Sequence, residues 1–257
     1  MSELGPGTPQ KWVGAWSERR AALTPDREGL VDATTGERFT YAELDRRANR
    51  TARLLRRHGV GDSGESTGTV AVVSRNRPAV VDLFFASAKT GSRLAPLSHR
   101  LAPPELAELL DRVDPELLVV EAPFAKTVST ALETADTAAP QLIHLGTAAD
   151  SASSAATLDS TPYASALPED DTPVETATPA PGDTHLLLHT GGSTGTPKET
   201  ELTHRGIVWN SLNTITAWGL REDDVTPMVF PMFHTGGWNV LTVPLWHMGG
   251  TVVIARA

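Results

Sequence analysis

The apolar run Leu186-Leu187-Leu188 leads, past His189, into a loop of small and hydroxyl-bearing residues: Thr190, Gly191, Gly192, Ser193, Thr194, Gly195 and Thr196. Pro197 stiffens its exit and Lys198 follows. No other stretch limits the fold of the chain as sharply. The apolar run reads as a buried strand, and the loop beyond it turns freely while leaving its backbone N–H groups accessible. Many donors, little steric bulk and one cation are what a polyphosphate needs. The stretch departs from the common phosphate loop, in which Gly-Lys-Ser/Thr is contiguous and a helix starts at once. Here Thr196 and Pro197 separate Gly195 from Lys198, and Glu199, Thr200 and Glu201 come next. Two carboxylates beside a polyphosphate oppose its binding, so Glu199 and Glu201 are expected to turn outward.

The rest of the chain reads as a scaffold for such a loop. Thr40 and Glu43 have capping-box spacing, and Leu44, Ala48, Ala52 and Leu55 share one helical face before Gly59. Thr69-Val70-Ala71-Val72-Val73 reads as a buried strand. Asn76 and Pro78 open a second helix, with Val80, Val81, Phe84, Phe85 and Ala88 as its apolar stripe and Gly91 as its stop. Apolar runs at 94–97, 117–120 and 142–145 alternate with helices starting near Pro103 and Ala125. This alternation implies an α/β fold with a mostly parallel, doubly wound sheet flanked by helices. Leu30-Val31-Asp32 and Arg38-Phe39-Thr40 are expected to form a hairpin. Residues 146–182 are rich in Ala, Ser, Thr, Pro and Asp and poor in large apolar side chains, which reads as a surface excursion within one fold. It divides a first α/β lobe, 1–145, from a segment, 183–257, that carries the loop. After the loop, Thr203 caps a helix to Trp218, Asp223 and Asp224 mark a turn, and Val225 to Phe230 is a strand. Trp238 to Met248 reads as one helix, and Thr251–Ile254 as a strand left at an uncovered sheet edge.

Composition removes several classes of function. The chain has 257 residues, a net charge of -9 and no cysteine. The charge argues against a nucleic-acid surface, and the lack of cysteine rules out disulfides, thiolate nucleophiles and cysteine metal sites. No apolar run approaches the roughly 20 residues of a membrane span, and the N-terminal residues lack the pattern of a secretory signal. A cytoplasmic location is the resulting expectation.

Ser193-Thr194-Gly195-Thr196-Pro197-Lys198, behind an apolar strand and ahead of Leu202-Thr203-His204, resembles the signature loop of the adenylate-forming (AMP-binding) superfamily of acyl-CoA synthetases, luciferases and adenylation domains. Phe39-Thr40-Tyr41-Ala42-Glu43-Leu44 and Gly91-Ser92-Arg93-Leu94-Ala95-Pro96-Leu97 fall where that superfamily has its opening helix and an early strand. A second stretch, Pro231-Met232-Phe233-His234-Thr235-Gly236-Gly237, resembles its aromatic/His segment, which lines the acyl pocket. The family usually has Gly after the lysine, where this chain has Glu199.

The resemblance implies ATP-dependent activation of a carboxylic acid, by default a fatty acid and alternatively an aryl acid, followed by transfer to coenzyme A. Thr190 to Thr196 and Lys198 would hold the phosphates, with magnesium bridging them. His234 would sit beside the carboxylate as the catalytic candidate. Gly236, Gly237, Trp238 and Asn239 would line the substrate site. His189 alone reads as a core histidine bonded to backbone. The family's adenine- and magnesium-binding Tyr-Gly-x-Thr-Glu segment, ribose-binding Asp, hinge and C-terminal catalytic Lys have no counterpart before Ala257. The resemblance therefore covers the front half of such an enzyme. The alternatives are a non-catalytic nucleotide-binding fragment and one subunit of a split ligase.

Overall fold

The computed structural model of the protein describes residues 13–61, 68–146, 158–190 and 198–256. A short helix, α1 (Trp16–Leu23), precedes the antiparallel hairpin of β1 (Glu28–Asp32) and β2 (Arg38–Thr40). Helix α2 (Tyr41–Arg57) begins with the capping box expected of Thr40 and Glu43: the Glu43 N–H donates to Thr40 Oγ1 at 3.2 Å, and the Thr40 N–H donates to the Glu43 carboxylate at 2.8 Å. There follow β3 (Thr69–Val73), α3 (Pro78–Thr90), β4 (Arg93–Leu97), α4 (Pro103–Val113), β5 (Leu117–Glu121), α5 (Ala125–Leu132) and β6 (Gln141–Leu145). After β7 (Thr161–Pro162) and the single turn α6 (Tyr163–Ala166) come β8 (Thr184–Thr190), β9 (Lys198–Thr203) and α7 (His204–Trp218). The Thr203 hydroxyl accepts from the Gly206 N–H at 3.1 Å, and Gly219 closes α7 in the left-handed region.

Seven strands form one sheet in the order β7-β6-β5-β3-β4-β8-β9, all parallel except β9, which returns antiparallel to β8. Successive side chains on a strand point to opposite faces. Val70, Val72, Leu117, Val119, Leu186 and Leu188 accordingly pack on the side of α2 and α3, while Ala71, Val73, Leu118, Val120 and Leu187 pack on the side of α4 and α5. Residues buried on both faces explain why these strands read as continuous apolar runs.

The remaining elements are β10 (Val225–Met228), α8 (Gly236–Asn239), α9 (Thr242–Met248) and β11 (Thr251–Ile254). A four-stranded sheet runs β10-β11-β1-β2. Two expectations are corrected here. Strand β11 is no edge, because it pairs in parallel with β10 on one side and β1 on the other. The helix expected from Trp238 to Met248 is two helices, broken around Val240 and Leu241. Pro244 has no N–H to offer the Val240 carbonyl, and its ring would collide with that group in a continuous helix.

Helix α3 lies between the two layers and is buried from Ala79 to Thr90. Phe84 stacks on Trp238 at 4.8 Å and touches the rings of His185 and Trp246. The charges of α3 are paired. Asp82 receives Arg47 Nε and Nη2 at 2.9 and 2.6 Å, and Lys89 Nζ lies 2.8 Å from Asp45. Residues 163–182 run from β7 back to β8, and 167–177 form a strap along α2. Side chains of α2 hold its backbone: Arg50 Nε donates to the Pro168 carbonyl at 2.6 Å, Arg53 Nη1 to Thr172 at 2.8 Å, Arg56 Nη2 to Glu175 at 2.6 Å and Asn49 Nδ2 to Asp171 at 3.2 Å.

Several histidines fold in as neutral rings. His185 and His204 are fully buried and stacked, with centroids 5.0 Å apart. Burial, and then the neighbouring His204, holds His185 well below its ordinary value, and burial lowers His204 and His247 to about 4. The unfolded chain takes up these protons near the usual value of about 6.5. Their contribution to stability is therefore complete above about pH 6.5 and lost as pH falls toward about 4. Thermal unfolding is expected to show a plateau above neutrality and a steep fall in Tm through that window. His185→Phe, which fills the space without a titrating group, is expected to flatten the fall; an unchanged slope would assign it to other groups.

Candidate functional site

The parallel strands of the large sheet end on one side, and the chain leaves them in different directions. From β3 it passes to α3 on one face; from β4 and β5 it passes to α4 and α5 on the other. Adjacent strands whose connections part in this way open a crevice at their carboxyl ends. Ser74 to Arg77 leave β3 there, Ser98 to Arg100 leave β4, and Glu121 ends β5. Glu121 is 3% exposed and accepts the Arg75 N–H at 2.8 Å, Arg75 Nη2 at 2.9 Å and the Ser74 hydroxyl at 3.2 Å. Burial pushes its pKa up, but the Arg75 hydrogen bonds and the Arg77 charge outweigh burial and hold it below its usual value.

The strand carrying the glycine-rich loop, β8, lies beside β4. Thr190 is its last residue and Lys198 the first of β9, and the two are cross-strand partners. Gly191, Gly192, Ser193, Thr194, Gly195 and Thr196, the other expected phosphate ligands, lie outside the described residues, as does Pro197. The register also pairs His189 with Glu199 and Leu187 with Glu201. Alternation then places both carboxylates on the face of β9 opposite Lys198. The two acids therefore do not share the face of the strand that carries Lys198. The His189 side chain is 7% exposed, with Nε2 3.7 Å from Glu199 Oε2. It packs toward that carboxylate and has no hydrogen bond to backbone among the described residues, unlike the expected core histidine. Burial, then the charge of Arg112, lowers its pKa to about 4, so at neutral pH the ring is neutral.

From the smaller sheet, the turn after β10 reaches into the crevice. Phe233 meets the His99 ring edge-on at 5.4 Å, Arg100 lies over it at 5.7 Å, and His99 stacks on Phe124 at 4.8 Å. His234 follows, exposed, with its ring 4.6 Å from that of Phe233, its N–H donating to the Pro231 carbonyl and its carbonyl accepting from Gly237. The turn thus presents the imidazole outward from a fixed backbone. The residues after it have different neighbours. A Cβ at Gly237 would lie 2.6 Å from the Pro231 carbonyl oxygen, whereas one at Gly236 would meet nothing closer than 3.6 Å. The close approach at Gly237 is to the chain's own turn. Trp238 is fully buried, stacked on Phe84, and its indole N–H donates to the Met232 carbonyl. Asn239 Nδ2 donates to Thr235 Oγ1 at 3.0 Å, and its carbonyl accepts from Asn210 Nδ2 at 2.7 Å.

One residue of the site escaped the sequence reading. Asn76 registered there as a helix opener, yet its side chain binds Phe230, Met232 and Ala255. Its partners are more than 150 residues away, so no local pattern marks it. No helix among the described residues is long and apolar enough to cross a membrane.

A family model described as AMP-binding enzyme matches residues 17–257. The feruloyl-CoA synthase of an Amycolatopsis species is 31% identical over 245 residues, which are 95% of this chain and 44% of that protein. The indoleacetate–CoA ligase of Aromatoleum aromaticum is also 31% identical, covering 94% of this chain and 44% of its own length. The chain thus spans less than half of these curated relatives. A solved structure from Rhodopseudomonas palustris, assigned as a long-chain-fatty-acid CoA ligase, superimposes with a TM-score of 0.82 at 26% identity, over 95% of this chain and 57% of that one.

Gly237→Ala is expected to destabilise the protein by about 1–3 kcal/mol, as overpacking of a rigid neighbour does. Gly236→Ala is expected to change stability by less than about 0.5 kcal/mol, in the range of substitutions that meet no obstruction. Urea unfolding of the two variants checks the pair.

Proposed function

The chain belongs to the AMP-binding enzyme family, and on that premise we propose that it forms the nucleotide- and carboxylate-binding front part of a ligase that joins a carboxylic acid to coenzyme A. In the first step a carboxylate oxygen attacks the α-phosphorus of ATP. The new O–P bond forms as the bond to the bridging oxygen breaks, and pyrophosphate leaves with that electron pair. In the second, a thiolate attacks the acyl carbon and AMP departs. Joining two anions requires screened charge and in-line placement.

In this proposal Thr190 to Thr196 and Lys198 grip the phosphates and steady the leaving pyrophosphate. His234 orients the carboxylate, Gly236 and Asn239 border it, and Gly237 and Trp238 hold the turn in place. Magnesium would come bound to the phosphates. The observation that carries the reading is the placement of Lys198. It opens β9 as the cross-strand partner of Thr190 at the mouth of the loop, with Glu199 and Glu201 on the opposite face. Thiol transfer is assigned to the remaining length of such a ligase, on this or a second polypeptide. A fatty acid is one reading of the carboxylate. An aryl acid is the second, favoured by relatives whose names specify feruloyl and indoleacetate substrates.

A charge-assisted bond to phosphate contributes about 1.5–3 kcal/mol, or roughly 10- to 150-fold in affinity. Lys198→Ala is expected to weaken ATP binding by that factor in calorimetric titration, while His234→Ala leaves it within about twofold and weakens carboxylate binding instead. Equal ATP affinity in wild type and Lys198→Ala would overturn the assignment of the loop.

A further inference from the structure

We propose that Asn76 is a positioning residue that sets where the His234 turn stands against the carboxyl ends of the large sheet. The inference rests on the reading of His234 as the carboxylate-facing residue and adds the group that places it.

Asn76 is 3% exposed and lies between β3 and α3. Its Nδ2 donates to the Phe230 carbonyl and to the Ala255 carbonyl, both at 3.0 Å, and its Oδ1 accepts the Met232 N–H at 2.9 Å. The amide can stand only this way round. Flipped, its NH2 would face an N–H, and its oxygen would face two carbonyls. Two donors and one acceptor in one small neutral group match the three backbone atoms, and no other side chain of this length offers that set.

The bonds cross from one sheet to the other. Asn76 belongs to the large sheet's crevice, Phe230 and Met232 to the turn after β10, and Ala255 to the residues just past β11. Met232 is held on both sides, since its N–H goes to Asn76 and its carbonyl accepts the Trp238 indole. Its side chain is buried as well. Phe233 and His234 therefore follow a residue whose flanking peptides are each held by a side-chain hydrogen bond. Truncating Asn76 leaves the buried Met232 N–H without an acceptor and frees the next two residues to shift as a unit. A displacement of about 1 Å at a group that orients a reactant is enough to lower activity on the order of 100-fold.

The test is hydrogen exchange of the full chain together with histidine-ring NMR, in wild type, Asn76→Ala and Asn76→Asp. In Asn76→Ala, exchange at Met232 and the neighbouring 230–235 amides is expected to rise at least tenfold, with the amides of β3, β5 and α3 unchanged. The His234 ring resonance is expected to move, and that of His144, which lies elsewhere in the large sheet, is expected to stay. Asn76→Asp keeps the acceptor and loses the donors, so it is expected to protect Met232 while loosening Phe230 and the residues after β11; it also serves if the alanine variant does not fold. Adding ferulate or octanoate to the wild type is expected to shift His234, and the same acid is expected to bind Asn76→Ala at least tenfold more weakly. An unmoved His234 resonance and unchanged local exchange in Asn76→Ala would overturn the positioning role, as would a uniform rise across the chain. If neither acid shifts His234 in the wild type while the free-protein differences appear, the carboxylate reading fails and the positioning of the turn stands.

Discussion

Helix α3 has no side that faces water, and the two sheets depend on that burial. A helix enclosed in this way must be apolar nearly all round, and each charge it keeps must be paired. Asp82 and Lys89 meet those terms through Arg47 and Asp45, both on α2. Phe84 meets it from the other direction, bringing Trp238 and Trp246 of the later segment onto the same helix. The stack of Phe84 on Trp238 therefore joins the large sheet's layer to the turn that carries His234. Removing a buried ring of this kind costs about 3–5 kcal/mol. Here it would also release the turn that carries His234.

The sequence showed most clearly those elements whose cause is local. Thr40 with Glu43, Thr203 ahead of Gly206, and Gly91 and Gly219 as left-handed stops are decided within four residues. The apolar runs of the large sheet were legible because both of their faces are covered. The strands of the smaller sheet were legible one by one, but their assembly was not, since β1 and β11 pair across more than 200 residues with nothing in either strand naming its partner. Pro244 did announce the break between α8 and α9, and the nearly continuous apolar run around it masked the signal.

The candidate site divides along the same line. Lys198 and His234 are visible because they lie in compact motifs. What surrounds them is set by register and distant packing. Whether Glu199 and Glu201 oppose Lys198 is decided by the pleat of β9, and Trp238 is drawn into the core by a ring more than 150 residues away. Gly237 is a glycine for a reason motif reading does not supply, the carbonyl of Pro231 at its back.

The strap along α2 bears on how low-complexity segments are read. Its anchors on α2 take hold of carbonyl oxygens at Pro168, Asp171, Thr172 and Glu175, groups that nearly every residue type presents alike. The carbonyl contacts are indifferent to the identity of the residues they hold, and Arg53 adds side-chain partners, the Thr172 hydroxyl and the Asp170 carboxylate. The strap can drift at its exposed positions, while Asp170, paired with Arg53 at 3.0 Å, and Leu167 and Val174, packed against the core, keep its course. The arginines cannot drift in the same way, because a lysine ammonium does not reproduce the planar, directed donors of a guanidinium. Plain composition in one segment can thus be the counterpart of specific chemistry in another.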